Sequence, residues 1–292
     1  TNLFNARVIT RNGRITTEEA GVIAEAARLY GDGHMMMTTR LTIEVSGIAY
    51  HDIDVFCAHL AKAGLSVGGT GSKVRPVVSC KATTCQYGLY DAYALSDEIH
   101  TRFYQGYRGV SLPHKFKIAT GGCPNNCVKP TLNDLGIVGA RVPQYHIEDC
   151  RSCKKCQLEE ACPIHAAKKN TDGKLEIDVE LCNHCGRCIG KCPFHCNDEG
   201  VDGYKVYVGG RWGKKIAHGQ MLHKIFTDQN EVLDTVEKAI LLFRSAGESG
   251  ERFADTINRI GFANAEKILL SDELLQKKAE ILGLDVVGGA TC

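Results

Sequence analysis

Cys150-Arg-Ser-Cys153-Lys-Lys-Cys156-Gln-Leu-Glu-Glu-Ala-Cys162-Pro163 and Cys182-Asn-His-Cys185-Gly-Arg-Cys188-Ile-Gly-Lys-Cys192-Pro193 are one pattern written twice. Two-residue spacing sets three thiolates on one tight loop, and a fourth cysteine follows each time, directly before a proline. Fifteen cysteines in a small exported chain would suggest a disulfide framework. This chain has 292 residues and shows no basic region followed by an apolar core at its start, so no secretory signal is expected. Metal suits these tight series better than disulfides, and a reducing cytoplasm is the expected compartment. Position 1 is Thr rather than Met, which suggests that a few residues have been removed. Over 144–200 the composition turns abruptly to Cys, Lys, Asp and Asn, as in a compact module set inside a larger domain.

The doubled pattern resembles the two-cluster bacterial ferredoxins, in which the fourth, Cys-Pro cysteine ligates the other cluster. That resemblance implies one [4Fe–4S] cluster on Cys150, Cys153, Cys156 and Cys192. A second would lie on Cys182, Cys185, Cys188 and Cys162. One departure is the five residues between Cys156 and Cys162, where three is usual; the loop is longer but no ligand is lost. Structural zinc sites also use four cysteines, but normally as two separated C-x-x-C pairs. Electron transfer is the function that follows.

Working outward, residues 1–66 alternate between helical and strand patterns. Thr16 and Glu19 form a capping-box signature for a helix ending near Gly31. The stretch 34–45 is β-like, and 51–63 is helical with a stop at Gly64. Residues 67–143 are richer in Gly, with a strand predicted over 74–79 and a helix over 89–104. After the insert, the host resumes at 201–292 with a strand over 204–209 and helices near 230–245 and 263–282. The fold class expected is α+β.

Two further cysteine pairs stand upstream, in Ser79-Cys80-Lys-Ala-Thr-Thr-Cys85 and Gly121-Gly122-Cys123-Pro-Asn-Asn-Cys127. They would suit a third cluster, or be buried cysteines without a ligand. Here the chain resembles the sirohaem-dependent sulfite and nitrite reductases, and among them the anaerobic sulfite reductases, whose C subunit also carries a ferredoxin insert. The first pair has four intervening residues, where many members have five. Thr38-Thr39-Arg40 followed by Gly47-Ile48 is similar to the family's T-T-R-Q motif, with Leu41 in place of Gln. Val74-Arg75-Pro76 and Leu112-Pro113-His114-Lys115-Phe116-Lys117 are similar to two more of its segments.

The resemblance implies a sulfite-reductase-like half, with a ferredoxin-like N-terminal part and a sirohaem-binding part, carrying the inserted two-cluster module. It implies that Cys80, Cys85, Cys123 and Cys127 hold a cluster and that Cys127 bridges it to the sirohaem iron. Arg40, Arg75, Lys115 and Lys117 match the family's cations around the substrate anion. The reaction implied is six-electron reduction of sulfite to sulfide, or of nitrite to ammonia. A non-catalytic electron-transfer subunit without sirohaem is the reading from another class.

Physical chemistry supports such a quartet. A small anion must leave water to reach an iron, and one opposite charge at about 4 Å contributes roughly 4 kcal/mol at an effective dielectric near 20. The same groups can protonate departing oxygens. Lys115 and Lys117 alternate about Phe116 and so share one face of an extended segment. An isolated Lys-x-Lys is ordinarily a solvated surface pair; the motif and the neighbouring cysteines argue otherwise.

The remaining signals are weaker. Gly68-Gly-Thr-Gly-Ser-Lys73 lacks the order of a phosphate loop. In Gly209-Gly-Arg211-Trp-Gly-Lys214-Lys215, the resemblance assigns Arg211, Lys214 and Lys215 to sirohaem carboxylates; a surface hairpin is the alternative. Cys57 reads as core, while Cys196 and Cys292 have no assigned role. The net charge is +1, with 43% hydrophobic and 24% charged residues, so neither a nucleic-acid surface nor a membrane span is expected. No flavin or nicotinamide fingerprint is present, which implies electron-donating subunits or a ferredoxin as partner. Because family members are built from two related halves, a homo-oligomer or a complex with companion subunits is expected.

Overall fold

The computed structural model describes residues 2–289; Cys292 lies outside them. The N-terminal elements are β1 (Leu3–Val8), α1 (Thr17–Tyr30), β2 (Met35–Met37), β3 (Ile43–Ala49) and α2 (Ile53–Ala61). They form an antiparallel sheet ordered β1-β3-β2, with both helices packed against it. Thr16 accepts from the Glu19 N–H at 3.1 Å, while Glu19 accepts from the Thr16 N–H at 2.7 Å, closing the capping box. Ile23, Ala26 and Ala27 of α1 and Phe56 and Leu60 of α2 meet Val8, Ile43, Val45 and Ile48 in a separate small core.

The β-like stretch 34–45 is a hairpin rather than one strand. Met37 pairs with Ile43, and Thr38 to Thr42 turn the chain, with Leu41 at φ 60°. The Thr38 and Thr42 hydroxyls meet at 2.6 Å across the turn. No glycine or proline marks the reversal, so the apolar pattern alone does not reveal it. The reversal sets Arg40 at the hairpin tip, aimed at the rest of the molecule.

The main body holds β4 (Val78–Ser79), α3 (Ala92–Ile99), β5 (Ile118–Gly121) and β6 (Leu135–Gln144). Of the strand predicted over 74–79, Val78–Ser79 form β4 and Val74 makes an isolated parallel bridge to Phe116; between them Pro76 has no N–H to give. The helix predicted over 89–104 starts later, at Asp91, whose carboxylate accepts from the Ala94 N–H at 3.0 Å. It continues as a π-helical turn over His100–Gln105.

Next come α4 (Gln157–Ala161), the small pair β7 (Ala167–Lys169) and β8 (Leu175–Ile177), then β9 (Glu199–Val208) and β10 (Gln220–Phe226). The large sheet is ordered β10-β9-β6-β5-β4, parallel between β4, β5 and β6 and antiparallel elsewhere. β6 and β9 pair without a slip from Leu135↔Val208 to Gln144↔Glu199. The cysteine-rich segment therefore leaves and rejoins the sheet at facing residues, which lets it fold on its own small core of Leu158, Ala167, Leu175 and Cys196.

The chain ends in α5 (Gln229–Ala246), α6 (Phe253–Ile260), α7 (Phe262–Leu270), α8 (Glu273–Gln276) and α9 (Lys278–Gly283). The single helix expected near 263–282 is broken at Ser271 and Lys277, and α6 was not anticipated. α5 is buried along most of its length and covers one face of the large sheet. Phe116, Phe243 and Phe253 pack ring against ring at 5.3–5.9 Å, each fully buried and worth about 1.5–3 kcal/mol by transfer from water. Among the described residues no helix is long and apolar enough to cross a membrane.

Candidate functional site

β4 and β5 lie side by side and parallel, so their carboxyl ends deliver the next residues to one edge. Cys80 follows β4 and Cys123 follows β5. The Cys80 N–H donates to the Thr120 carbonyl at 3.0 Å, and the Gly122 N–H donates to Cys80 Sγ at 3.0 Å. A Cβ at position 122 would overlap the Ala82 side chain, so only glycine permits this approach. Burial pushes the Cys123 thiol up, and Cys80, Cys127 and Cys85 add to that rise. All four thiols thus share one neighbourhood, and Cys127 is the exposed one.

Inside the insert the cysteines sort into two sets. Cys150, Cys153, Cys156 and Cys192 wall one cavity together with Cys196 and Leu158. Cys162, Cys182, Cys185 and Cys188 wall another with Pro163 and Ile177. Each Cys-Pro cysteine therefore faces the loop of the other series. Burial opposes ionisation of Cys150, yet the Tyr145 hydroxyl and the Leu175 and Ser152 N–H groups bring its thiol below the ordinary range. Burial raises Cys188, against which the wholly buried Asn197 carboxamide acts. Cys196 donates to Cys192 Sγ at 3.1 Å, which was not read from the sequence.

Among the described residues no cysteine, histidine or carboxylate group is gathered tightly enough for a single metal ion. A tetrahedral zinc needs four sulfurs about 2.3 Å from one point. Thiols that surround a cavity instead suit a polynuclear core, which spreads its four thiolate bonds over separate irons. The two insert sets surround cavities in this way, and the four thiols of the Cys80 set offer the same donor chemistry, which fits [4Fe–4S] ligation.

The cation cluster is centred on Asp134, which is 0% exposed. Its carboxylate accepts twice from Arg252, at 2.9 and 2.7 Å, and once from the Lys117 N–H at 2.9 Å. Arg40, Arg75 and Lys117 all sense this carboxylate. Burial first, then Arg40 and Arg252, bring the Lys117 ammonium down to about 8. His114 falls to about 4 by burial beside Arg252 and Lys115. Arg252 and Asp134 were missed in the sequence because no motif marks them and their proximity arises only from folding; His114 stands within the Leu112–Lys117 segment but was given no role there.

The predicted residues differ in how free they are. Arg40 donates to the carbonyls of Pro76 (3.0 and 2.7 Å) and Ile118 (3.0 Å) and to the Asn133 side chain (3.0 Å). It therefore ties the N-terminal hairpin to the main sheet. Arg75, 4% exposed, holds the glycine loop through the Gly71 and Gly69 carbonyls at 3.0 and 2.9 Å, and its Nη2 has no partner among the described residues. Lys115 flanks Lys117 and His114. Arg211 is paired with Asp255 at 2.8 Å, within electrostatic reach of His114. Lys214 and Lys215 stand exposed on the hairpin between β9 and β10.

Residues 70–278 match the domain family "Nitrite and sulphite reductase 4Fe-4S domain", and residues 1–63 match "Nitrite/Sulfite reductase ferredoxin-like half domain". The chain is 31% identical over 265 residues to the coenzyme F420-dependent sulfite reductase of Methanocaldococcus jannaschii, covering 89% of this chain and 40% of that protein. It is 31% identical over 219 residues to the C subunit of the anaerobic sulfite reductase of Salmonella typhimurium, covering 66% of this chain and 60% of the relative. A dissimilatory sulfite reductase I structure superposes with a TM-score of 0.71 at 21% identity, over 91% of this chain and 69% of that one. The Mycobacterium tuberculosis NirA structure gives 0.63 at 15%, over 99% and 42%. The fold, the cysteine sets and these matches agree, and the chain spans 40% to 60% of the length of these two curated relatives: it belongs to the nitrite and sulphite reductase 4Fe-4S family.

Proposed function

We propose that this chain is the catalytic sirohaem–[4Fe–4S] subunit of a sulfite reductase, taking sulfite to sulfide with six electrons delivered through a two-cluster ferredoxin module. The observation that carries the reading is a cation cluster gathered on one buried carboxylate, Asp134, in a body whose parallel strands present Cys80, Cys85, Cys123 and Cys127. In this reading the chain divides into 1–66, 67–143, the insert 144–200 and 201–292. When bound, the iron–sulfur groups supply one-electron transfer and the sirohaem supplies the iron at which the anion is reduced.

The protein's own part is electrostatic and protic. Asp134 neutralises one charge of the cluster, so the rest can share a pocket while retaining net positive potential for an anion. Arg75 Nη2, buried and unpaired, is a donor in reserve for an anion oxygen. Lys117, near 8, exchanges its proton close to neutral pH, which fits a donor to departing oxygen. Cys127 is the exposed thiol of its set, consistent with a bridge to a second metal group. Electrons come from companion subunits or a ferredoxin, and a second copy or a related chain completes the active site.

One observation favours a purely electron-transferring subunit instead: Arg40, matched to a substrate contact, spends its hydrogen bonds on the protein itself. Anaerobic purification followed by acid extraction of tetrapyrrole and an iron count separates the two. Sirohaem absorption bands with sulfite turnover from an artificial donor support the proposal. Iron without tetrapyrrole overturns it, and faster turnover on nitrite replaces the substrate.

A further inference from the structure

Lys205 lies on β9 opposite Val138 of β6, and its ammonium donates to the Asn183 carbonyl at 3.0 Å. Asn183 stands between Cys182 and Cys185. The lysine is 5% exposed, and no carboxylate among the described residues pairs with it. A buried ammonium is costly unless an anion meets it. Burial draws Lys205 below the usual ammonium range, and Cys182 and Cys185 are the groups that oppose this. Its natural counter-charge is therefore whatever those thiolates carry.

The other set has no equivalent. Around Cys150 and Cys192 the side-chain donors are the Tyr145 hydroxyl and the Cys196 thiol, both neutral; the cations Arg151, Lys155, Lys169 and Lys174 lie near that cavity, but each is exposed or half-exposed and screened by solvent. On the Cys182 side the Ala166 N–H donates to Cys162 Sγ at 3.2 Å, and the buried Asn197 carboxamide lies near Cys188. Among the described residues, the Cys182 set alone has a buried cation beside it. Position matters too. A cleft of about 300 Å³ has Cys123, Pro124 and Asn125 on one wall and Cys185, Gly186 and Arg187 on the other. The Arg141 N–H, on β6, binds the His184 carbonyl at 2.8 Å and anchors that loop to the sheet. The Cys182 set is the one facing the body.

We propose that Lys205 is the counter-charge of the centre held by Cys162, Cys182, Cys185 and Cys188 and sets its reduction potential above that of the Cys150 centre. The inference rests on the iron–sulfur reading of both sets. Adding an electron to a four-thiolate cluster adds negative charge, which a nearby buried cation stabilises, so the potential rises. With both centres loaded, one electron received from a low-potential donor protein would pass downhill from the Cys150 centre to the Cys182 centre. The first would be oxidised and the second reduced, with no bond made or broken.

The test is potentiometric EPR on the full reconstituted chain, with iron and sulfide counted in every sample. Wild type is expected to show two ferredoxin-type couples at separate potentials. Lys205→Met, close in volume, should lower the more positive of them by at least tenfold in the one-electron equilibrium, about 59 mV, and leave the other in place. Lys205→Arg should restore the wild-type value. Coincident couples in wild type, an unmoved potential in Lys205→Met with full iron, or movement of the more negative couple overturns the proposal. Because the first readout needs only wild-type protein, a poorly folding variant does not protect the idea. Wild-type iron short of two cubanes in the insert sinks the underlying cluster reading as well, and the count tells that failure apart.

Discussion

Arg252 holds Asp134 through one guanidinium nitrogen shared between both carboxylate oxygens, at 2.9 and 2.7 Å, with both side chains buried. The pair joins the N-terminus of α6 to the start of β6 and supplies the negative charge at the centre of the cation cluster. Removing one partner of a buried pair leaves an uncompensated charge, which costs about 3–5 kcal/mol. Asp134→Asn is therefore expected to lower stability by that amount in urea denaturation. A loss below about 1 kcal/mol would show that Arg252 finds another partner.

Arg40 makes four hydrogen bonds to three acceptors at the junction of hairpin and sheet. A lysine has no planar fork to reproduce them. Arg40→Lys and Arg40→Ala are both expected to lose roughly 2–4 kcal/mol of stability, since buried carbonyls go unsatisfied. If Arg40→Lys instead unfolds like wild type and alters only KM for the anion, the arginine serves substrate more than structure.

Lys117 titrates near 8 because burial and neighbouring cations disfavour its charge. Its folded value lies below that of the unfolded chain, so the unfolded state binds more protons between about pH 8 and pH 10.4. Stability from this group rises across that window, while proton donation fails as pH climbs through 8. The turnover profile is expected to fall with an inflexion near 8. Lys117→Arg should remove that inflexion, and Lys117→Ala should cut turnover roughly 100-fold with cluster content intact. An unchanged profile in Lys117→Arg assigns the proton elsewhere.

Gly122 admits no side chain, because its Cβ would overlap Ala82 beside Cys80. Gly122→Ala is expected to spread the Cys80 and Cys123 loops and lose about four irons per chain, the content of one cubane, while the insert keeps its own. Colorimetric iron analysis checks this. Full iron in the variant would mean that these cysteines do not share one core.

Much of this was legible in the residues. The capping box of α1, the doubled cysteine series and the strand pattern after the insert are local signals, set by spacing of a few residues. Other elements were not. The turn at Thr38–Thr42 uses no glycine or proline, and the strand before Cys80 is cut short by Pro76. The C-terminal helices break at Ser271 and Lys277, which carry no strong stop signal. Arg40 was matched by motif to an anion, yet its guanidinium packs against backbone carbonyls that lie far off in sequence.

Spacing along the chain was enough to mark the two cysteine series of the insert, and motif resemblance added the upstream four cysteines and the family, because ligand loops and motifs are short-range features. Which thiol series face one another across each cavity, which cation is buried without a carboxylate, and how Asp134 comes to sit among four basic side chains are long-range matters. They follow from the pairing of β6 with β9 and the parallel seating of β4 beside β5, since charge and burial depend on distance in space and not on order in the chain.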